Sequence, residues 1–245
     1  NTVTANGSGN LVVTAGLGGT GNLTQGANGA LTSGSGEINL RAQNDIALGA
    51  NVSTGGNVLA QAVTGAITQS GGVLSADQAA LTSAGAIGSA SNRLQTNVNT
   101  LALNAGGNAY VTEANALTLA ATSTNNGAID VQTTAGTLTV GSVAVATTVT
   151  PATGGITPLA VGQTLAGVTA DGTGAVTLTA NGATSDVALG ATVRSGTGSI
   201  AVTAGNNILD TLAGDLGSGT DTSTSGALNV ATGGHVTLHA GNSIG

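Results

Sequence analysis

Apolar and polar residues alternate in short runs along most of this 245-residue chain. In the stretch 174–180, GAVTLTA, the residues Val176 and Leu178 fall on one face, and Thr177 and Thr179 fall on the other. A period of two is the pattern of a half-buried β-strand, whereas an amphipathic helix would repeat every 3.6 residues or so. The pattern therefore predicts strands that have one apolar face.

The same phrase, a strand followed by a polar turn and a second strand, recurs along the chain. Its clearest copies are residues 36–50, 174–191, 198–209 and 226–245. With the first apolar positions aligned, the spacings are 20 residues from Ile38 to Val58, 21 from Val58 to Ala79, 24 from Val176 to Ile200 and 28 from Ile200 to Leu228. A constant strand with variable turns at this repeat length is typical of a solenoid, since a propeller blade has roughly twice the period.

We therefore predict an all-β fold, a right-handed parallel β-helix (β-solenoid) with about 20–24 residues per coil, running through residues 1–245 as a single unit. Glycines are expected at tight corners, and the branched apolar residues are expected inside. The predicted buried positions are Ile38, Leu40, Val58, Val176, Leu178, Ile200, Val202, Val230, Val236 and Leu238. The predicted exposed positions are Asn39, Arg41, Thr177, His235 and His239.

Two stretches interrupt the repeat. Residues 141–174 contain Pro151 and Pro158, and proline removes a donor from a β-ladder, so we expect an irregular corner or a protruding loop there. Residues 209–226 account for most of the long 28-residue spacing and are predicted to be a surface excursion.

The composition favours a thin, stacked core and limits the partners. The chain has 42 glycines, 40% apolar residues, 5% charged residues, one aromatic residue (Tyr110) and no cysteine. Low charge with positive mean hydropathy argues against disorder. A net charge of −7 leaves no basic surface for nucleic acid, and no apolar run reaches the ~18 residues that cross a bilayer. We predict neither nucleic-acid binding nor membrane insertion.

Few residues offer chemistry. Asp210, Asp215 and Asp221 lie close together in the sequence and are candidate metal ligands, for which calcium is the natural ion. His235 and His239 are predicted to lie on a strand roughly 13 Å apart, which is too far to share an ion. The three arginines are scattered. We predict no catalytic residue and no cofactor.

Asp45 and Asp186 occupy matching places in "NDIALGA" and "SDVALGA", each directly before a strand. A carboxylate at a strand entry is typically a turn cap that accepts nearby backbone N–H groups. A catalytic pair would instead have to sit on neighbouring coils, and these two residues are predicted to be several coils apart.

The pattern "G-x-[IVL]-x-[LV]-x-A", followed by a polar turn and "[IV]-x-L", occurs at residues 36–48, 174–189, 198–208 and 226–238. It resembles the shaft repeats of filamentous haemagglutinin-type exoproteins of two-partner secretion, which also lack cysteine. The resemblance implies an extracellular or cell-surface adhesin that leaves the cell through a partner outer-membrane transporter and meets a glycan or protein receptor. The family's secretion domain is not evident here.

The sequence therefore predicts a non-enzymatic structural shaft of a secreted or cell-surface filamentous adhesin. Three alternatives stay open: a subunit of an extracellular filament that stacks end to end, an ice-binding solenoid, and a polysaccharide-active β-helix enzyme. Repeat-like residues reach both ends of the sequence without a polar cap. We therefore expect open ends, continued by other β-helical segments of the same or a neighbouring chain.

Overall fold

The computed structural model describes residues 2–16, 18–146, 159–213 and 228–245, and every regular element in these ranges is a β-strand. The prediction of an all-β fold is confirmed for this part of the chain. Its first strands are β1 (Val3–Ala5), β2 (Leu11–Ala15), β3 (Leu23–Thr24), β4 (Leu31–Ser33), β5 (Ile38–Ala42), β6 (Ile46–Leu48), β7 (Val52–Ser53), β8 (Asn57–Ala62), β9 (Ile67–Gln69), β10 (Leu74–Ser83), β11 (Leu94–Ala105) and β12 (Ala109–Glu113).

The remaining strands are shorter than β10 and β11. They are β13 (Leu117–Ser123), β14 (Ile129–Thr133), β15 (Leu138–Val140), β16 (Ser142–Ala144), β17 (Thr164–Ala166), β18 (Val168–Ala170), β19 (Val176–Ala180), β20 (Val187–Leu189), β21 (Val193–Ser195), β22 (Ile200–Ala204), β23 (Ile208–Asp210), β24 (Val230–Ala231) and β25 (Val236–Ala240). Twenty strands join one large sheet, and in the described ranges every strand pair except β16–β17 is parallel.

Most strands pair with strands of the next repeat and so build long parallel ladders, while β10–β11 and β11–β12 are parallel pairs of consecutive strands. Ladder A contains β5, β8, the second halves of β10 and β11, and then β13, β15, β20 and β23. Its first inner row is Ile38, Val58, Ala79, Leu101, Leu119, Val140 and Leu189, and all of these side chains are buried. Ladder A divides at β13. The first half of β13 pairs with β15, and its second half begins a branch that continues through β18, β21 and β24.

Ladder B runs through β3, β6, β9, β12, β14, β19, β22 and β25, with Ile87 as a single bridge between β9 and β12. One of its inner rows is Leu23, Ile46, Ile67, Ile87, Ala109, Ile129, Val176 and Ile200. Every member of this row is buried. Ladder C is shorter: it contains β1, β4, β7 and the first halves of β10 and β11, and it then merges into β12.

Most of the burial predictions are confirmed. Ile38, Leu40, Val58, Val176, Leu178, Ile200 and Val202 are each 0% exposed, whereas Val230 is half-buried. The prediction is wrong for Val236 and Leu238, which are 48% and 37% exposed. These two side chains occupy inner positions of β25, but β25 pairs only with β22 among the described strands, so their other side is uncovered.

Among the positions predicted to be exposed, both histidines are exposed, and Arg41 and Thr177 are half-buried. The prediction therefore holds only in part for Arg41 and Thr177, and it is wrong for Asn39, which has only 3% of its surface exposed. Asn39 lies in register with Leu59, so it belongs to an outer row of ladder A that does not face solvent.

That outer row is covered by part of the irregular stretch predicted for residues 141–174. The antiparallel pair β16–β17 packs on the outside of ladder A instead of protruding from it. The apolar cluster that results contains Leu59, Ala80, Ala102 and Ala120 from the ladder and Val143, Val145, Leu159 and Leu165 from the covering segment. The Gln78 side chain fixes the cover, since its amide donates to Ala144 O (2.9 Å) and its oxygen accepts Ala146 N–H (2.7 Å). Pro151 and Pro158 lie outside the described residues.

The register differs from the sequence alignment in two places. Ile200 pairs with Val236 rather than with Leu228, because the segment around Val230 joins β21 of ladder A. In the first half of the chain, Ile46 and not Ile38 shares an inner row with Val176. The two phrases 36–50 and 174–191 therefore begin on different ladders.

Candidate functional site

The predicted metal ligands are only partly within the described residues. Asp210 ends β23, is exposed, and accepts the Leu212 N–H at 3.0 Å through Oδ1. Asp215 and Asp221 lie outside the described residues. Across the described ranges, no three His, Cys, Asp or Glu side chains come close enough together to hold a metal ion. His235 and His239 are both exposed.

Asp45 and Asp186 both bond to the backbone of the next repeat. Asp45 Oδ1 accepts the Ala66 N–H at 2.8 Å. Asp186 Oδ1 accepts the Asn207 N–H at 2.9 Å and also the side-chain amides of Asn206 and Asn207. This is the capping role predicted for a carboxylate at a strand entry, although the partner lies one repeat away instead of in the same turn.

Asparagines make the same bond at four other strand entries. In each case, Oδ1 accepts the N–H of the equivalent residue in the next repeat, and the pairs are Asn10 with Glu37, Asn22 with Asp45, Asn51 with Val73, and Asn108 with Ala128. Because neutral amides serve as well as carboxylates, the bond needs an oxygen acceptor and no charge. Asp45 and Asp186 are therefore assigned to the stacking of the repeats.

Glu113 is a fully buried acid inside the fold, and its neighbours in register are the buried Thr96 and Thr133. It ends β12, whose inner positions before it are Ala109 and Val111. Here, β11 changes partners, pairing with β12 up to Thr96 and with β13 from Thr100 onward. The change leaves backbone N–H groups that need an acceptor.

The Glu113 carboxylate supplies that acceptor. Its oxygens accept the Val98 N–H at 3.2 Å, the Ala114 N–H at 2.9 Å and the Thr96 hydroxyl at 2.7 Å, with a longer bond from Asn115 N–H. Burial raises the pKa of the Glu113 carboxyl, and the hydrogen bonds only partly oppose this shift. The Glu113 carboxylate lies where β11, β12 and β13 meet. Its side chain is 0% exposed, so a substrate has no access to it.

The sequence analysis missed Glu113, although the alternation of "AYVTE" (109–113) carries the signal. Strict period-two counting places Glu113 on the same face as Ala109 and Val111, which is the inner face. An acid at an inner position predicts a nearby set of backbone donors, because a buried carboxylate without partners is very costly.

Arg93 and Tyr110 form the second notable cluster, on the outer surface. The Arg93 guanidinium pairs with Asp130 Oδ1 at 2.9 Å and lies 5.8 Å from the centre of the Tyr110 ring. It also donates to the carbonyl oxygens of Val111 and Asp130, both at 2.8 Å, and to Thr112 Oγ1 at 3.0 Å. The guanidinium is held rigidly, and its charge is compensated by Asp130.

A polar groove adjoins this cluster and is a candidate site. Two adjoining cavities of about 250 and 190 Å³ share Gln69, Ser70 and Asn92 as lining residues. Ser89 lines the first cavity, and Arg93 and Gln95 line the second. Neither lining includes a carboxylate. We call this feature the polar groove.

The polar groove exists because one strand of ladder B is missing. The last bond of the interrupted repeat runs from Gly88 N–H to Ile67 O at 2.8 Å, and the chain then leaves the ladder in a turn closed by Ser89 N–H and Asn92 O. Gln69 forms a buried floor. Its side-chain oxygen accepts the Gln95 N–H, and its amide donates to Gly72 O.

No protein-family model, curated protein or solved structure matches this chain.

Proposed function

We propose that this chain is a segment of a right-handed parallel β-helix, with about 20–24 residues per coil, that forms the shaft of a secreted or cell-surface filamentous adhesin. The observation that carries the proposal is the inner row of ladder B, in which apolar residues stack in register from Leu23 to Ile200. Each repeat contacts mainly its neighbours, so the fold can grow in one direction without a larger core. A fold of this kind can form an elongated shaft.

The chemistry of the side chains supports a structural role over an enzymatic one. Asp45, Asp186 and Glu113 each accept backbone N–H groups, and their positions follow from the needs of the ladders. The sequence resemblance to filamentous haemagglutinin-type shafts supplies the adhesin class, the extracellular or cell-surface location and the outer-membrane transporter as partner. A large parent reading frame beside a transporter gene would support that class, and a short, isolated one would contradict it.

The outer row of ladder B that contains Thr179 does not support the ice-binding alternative. A flat ice-binding face needs threonine at the same position of successive repeats. Thr179 and Thr203 are neighbours in one row, but Gln132 precedes them and His239 follows. The described part of ladder B therefore does not present a regular threonine array.

Deletion of one whole coil tests the shaft proposal. Removing residues 176–199 would join Ala175 to Ile200, which already stacks on Val176 in register. Because β22 can then take the place of β19 beside β14, we expect a folded protein with unchanged far-UV circular dichroism per residue. Small-angle X-ray scattering should show a particle shorter by roughly 4.8 Å.

A half-coil deletion is the matched control. Removing residues 176–187 would bring ladder A residues into the place of ladder B residues, so this variant should lose its β-structure or aggregate. Loss of the fold in the whole-coil variant, or equal tolerance of both deletions, would contradict a repeating shaft.

A further inference from the structure

We propose that the polar groove binds a neutral saccharide. The inference rests on the groove itself and does not depend on the shaft function. The groove is open to solvent, since Ser70, Asn92 and Gln95 at its walls are exposed. Its two cavities adjoin each other through shared residues, so an extended chain of sugar units can lie along both.

Several hydrogen-bonding groups of the groove are left for a ligand. Within the described ranges, the Asn92 side-chain amide makes no bond to the protein, and the Gln95 side chain uses only its amide nitrogen, on Arg93 O. The Arg93 side chain uses Nε and Nη2, which leaves Nη1 without a protein acceptor there. A sugar hydroxyl both donates and accepts, and it therefore matches a mixture of amide oxygens, amide nitrogens and guanidinium N–H groups.

The charges favour a neutral ligand. Arg93 is the one charged residue of the lining, and Asp130 already compensates it at 2.9 Å. An anionic ligand would have to compete with this ion pair. The walls are made mostly of polar side chains and glycines, so they provide no deep apolar pocket of the kind that anchors a peptide side chain.

The groove is also preorganised. The buried Gln69 amide bonds to Gln95 N–H and Gly72 O, and the Asn92 N–H bonds to Ser89 Oγ at 3.0 Å. These bonds fix both walls before a ligand arrives, which lowers the entropic cost of binding.

Saturation-transfer difference NMR with named oligosaccharides tests the proposal. The probes are the neutral hexasaccharides of cellulose, chitin, maltose and mannan, with a heparin hexasaccharide and hexagalacturonate as anionic comparisons. We expect at least one neutral probe to bind, with an affinity that does not change with added salt. Asn92→Trp, which fills the groove, and Gln95→Ala, which removes an acceptor, should each weaken this binding about tenfold or more.

Asn6→Ala is the matched control, because Asn6 is an exposed asparagine that does not line the groove, and this variant should bind like the parent chain. Circular dichroism reports whether each variant is folded, and Gln95→Ala decides the result if Asn92→Trp does not fold. The proposal is overturned if no neutral probe shows saturation transfer, if both groove variants bind as the parent does, or if only the anionic probes bind and salt removes them.

Discussion

Replacement of Glu113 by alanine is expected to lower the free energy of unfolding by about 3 kcal/mol or more, since each buried donor left without an acceptor costs ~1–3 kcal/mol and a cavity adds to this. The Val98 N–H would lose its carboxylate acceptor, and the Thr96 hydroxyl would keep only its long bond to Thr112 O at 3.4 Å. The defect would lie where ladder C merges into ladder B.

Glu113→Gln is the matched control for this change. A glutamine oxygen can still accept the N–H groups of Val98 and Ala114, and its amide can donate to Thr96 Oγ1. We therefore expect this variant to lie within about 1 kcal/mol of the parent chain near neutral pH. Urea denaturation followed by far-UV circular dichroism measures both variants, because the chain contains no tryptophan.

The same pair of chains predicts a pH dependence. Burial raises the pKa of Glu113 in the folded state, so the folded protein binds a proton that the unfolded chain has released. The stability of the parent chain relative to Glu113→Gln should therefore be highest below the ordinary pKa of a glutamate. It should fall as the pH rises through the raised folded-state pKa. A difference between the two chains that is independent of pH, or one that grows with pH, would contradict the assignment of Glu113 as a desolvated acid.

Gly106→Ala is expected to destabilise the fold by about 3 kcal/mol, at the upper end of overpacking costs, because the clash is with backbone. A Cβ at Gly106 would overlap the carbonyl oxygen of Ala84 in the preceding repeat. The glycine is buried, and its N–H donates to Ser83 O at 2.7 Å, so the chain cannot move away without breaking a ladder bond.

Gly26→Ala controls for the general effect of removing a glycine. No atom lies within 4 Å of a Cβ built at Gly26, and its backbone conformation is open to alanine. This variant should be neutral or more stable by up to about 1 kcal/mol, through the lower entropy of the unfolded chain. Thermal melts of the two variants give the comparison, and equal midpoints would show that the repeats do not approach each other this closely at Gly106.

The alternation of apolar and polar residues was enough to predict the strands and their inner faces, but it was not enough to predict the ladders. Ile38 and Val176 begin nearly identical phrases, yet Ile38 lies in ladder A and Val176 in ladder B. Both ladders have Ile, Leu, Val or Ala at every second position, so the same stretch of sequence can fit either ladder. For this reason, the sequence alignment places Ile200 opposite Leu228, whereas the structure pairs Ile200 with Val236.

The polar groove and the outer cover were beyond sequence reasoning for a different reason. The groove depends on the turn after Gly88, where a strand is replaced by residues of ordinary loop composition. The covered row contains Ala80, Ala102 and Ala120, and alanine also occupies inner positions such as Ala60 and Ala121, so the residue type does not show which face is covered. The row is covered because β16–β17, which follows Gln78 by more than 60 residues in the chain, packs back onto it. This long-range contact cannot be read from the local sequence.

In-register parallel stacking of the repeats is the central claim, and engineered cysteine pairs test it most directly because the chain has no cysteine of its own. Thr203 and His239 are direct neighbours on β22 and β25. Neighbouring strands lie ~4.8 Å apart, a Cα separation that a disulfide can span. The alignment of Ile200 with Leu228 would instead pair Thr203 with Ala231, which the structure places beside Arg194 on ladder A.

The measurement is disulfide formation in Thr203→Cys/His239→Cys and in Thr203→Cys/Ala231→Cys under mild oxidation, followed by mass spectrometry of the non-reduced digest. We expect the first pair to form an intramolecular disulfide rapidly and almost completely, and the second pair to remain reduced. A disulfide in the second pair with none in the first would contradict the stacking described for these repeats.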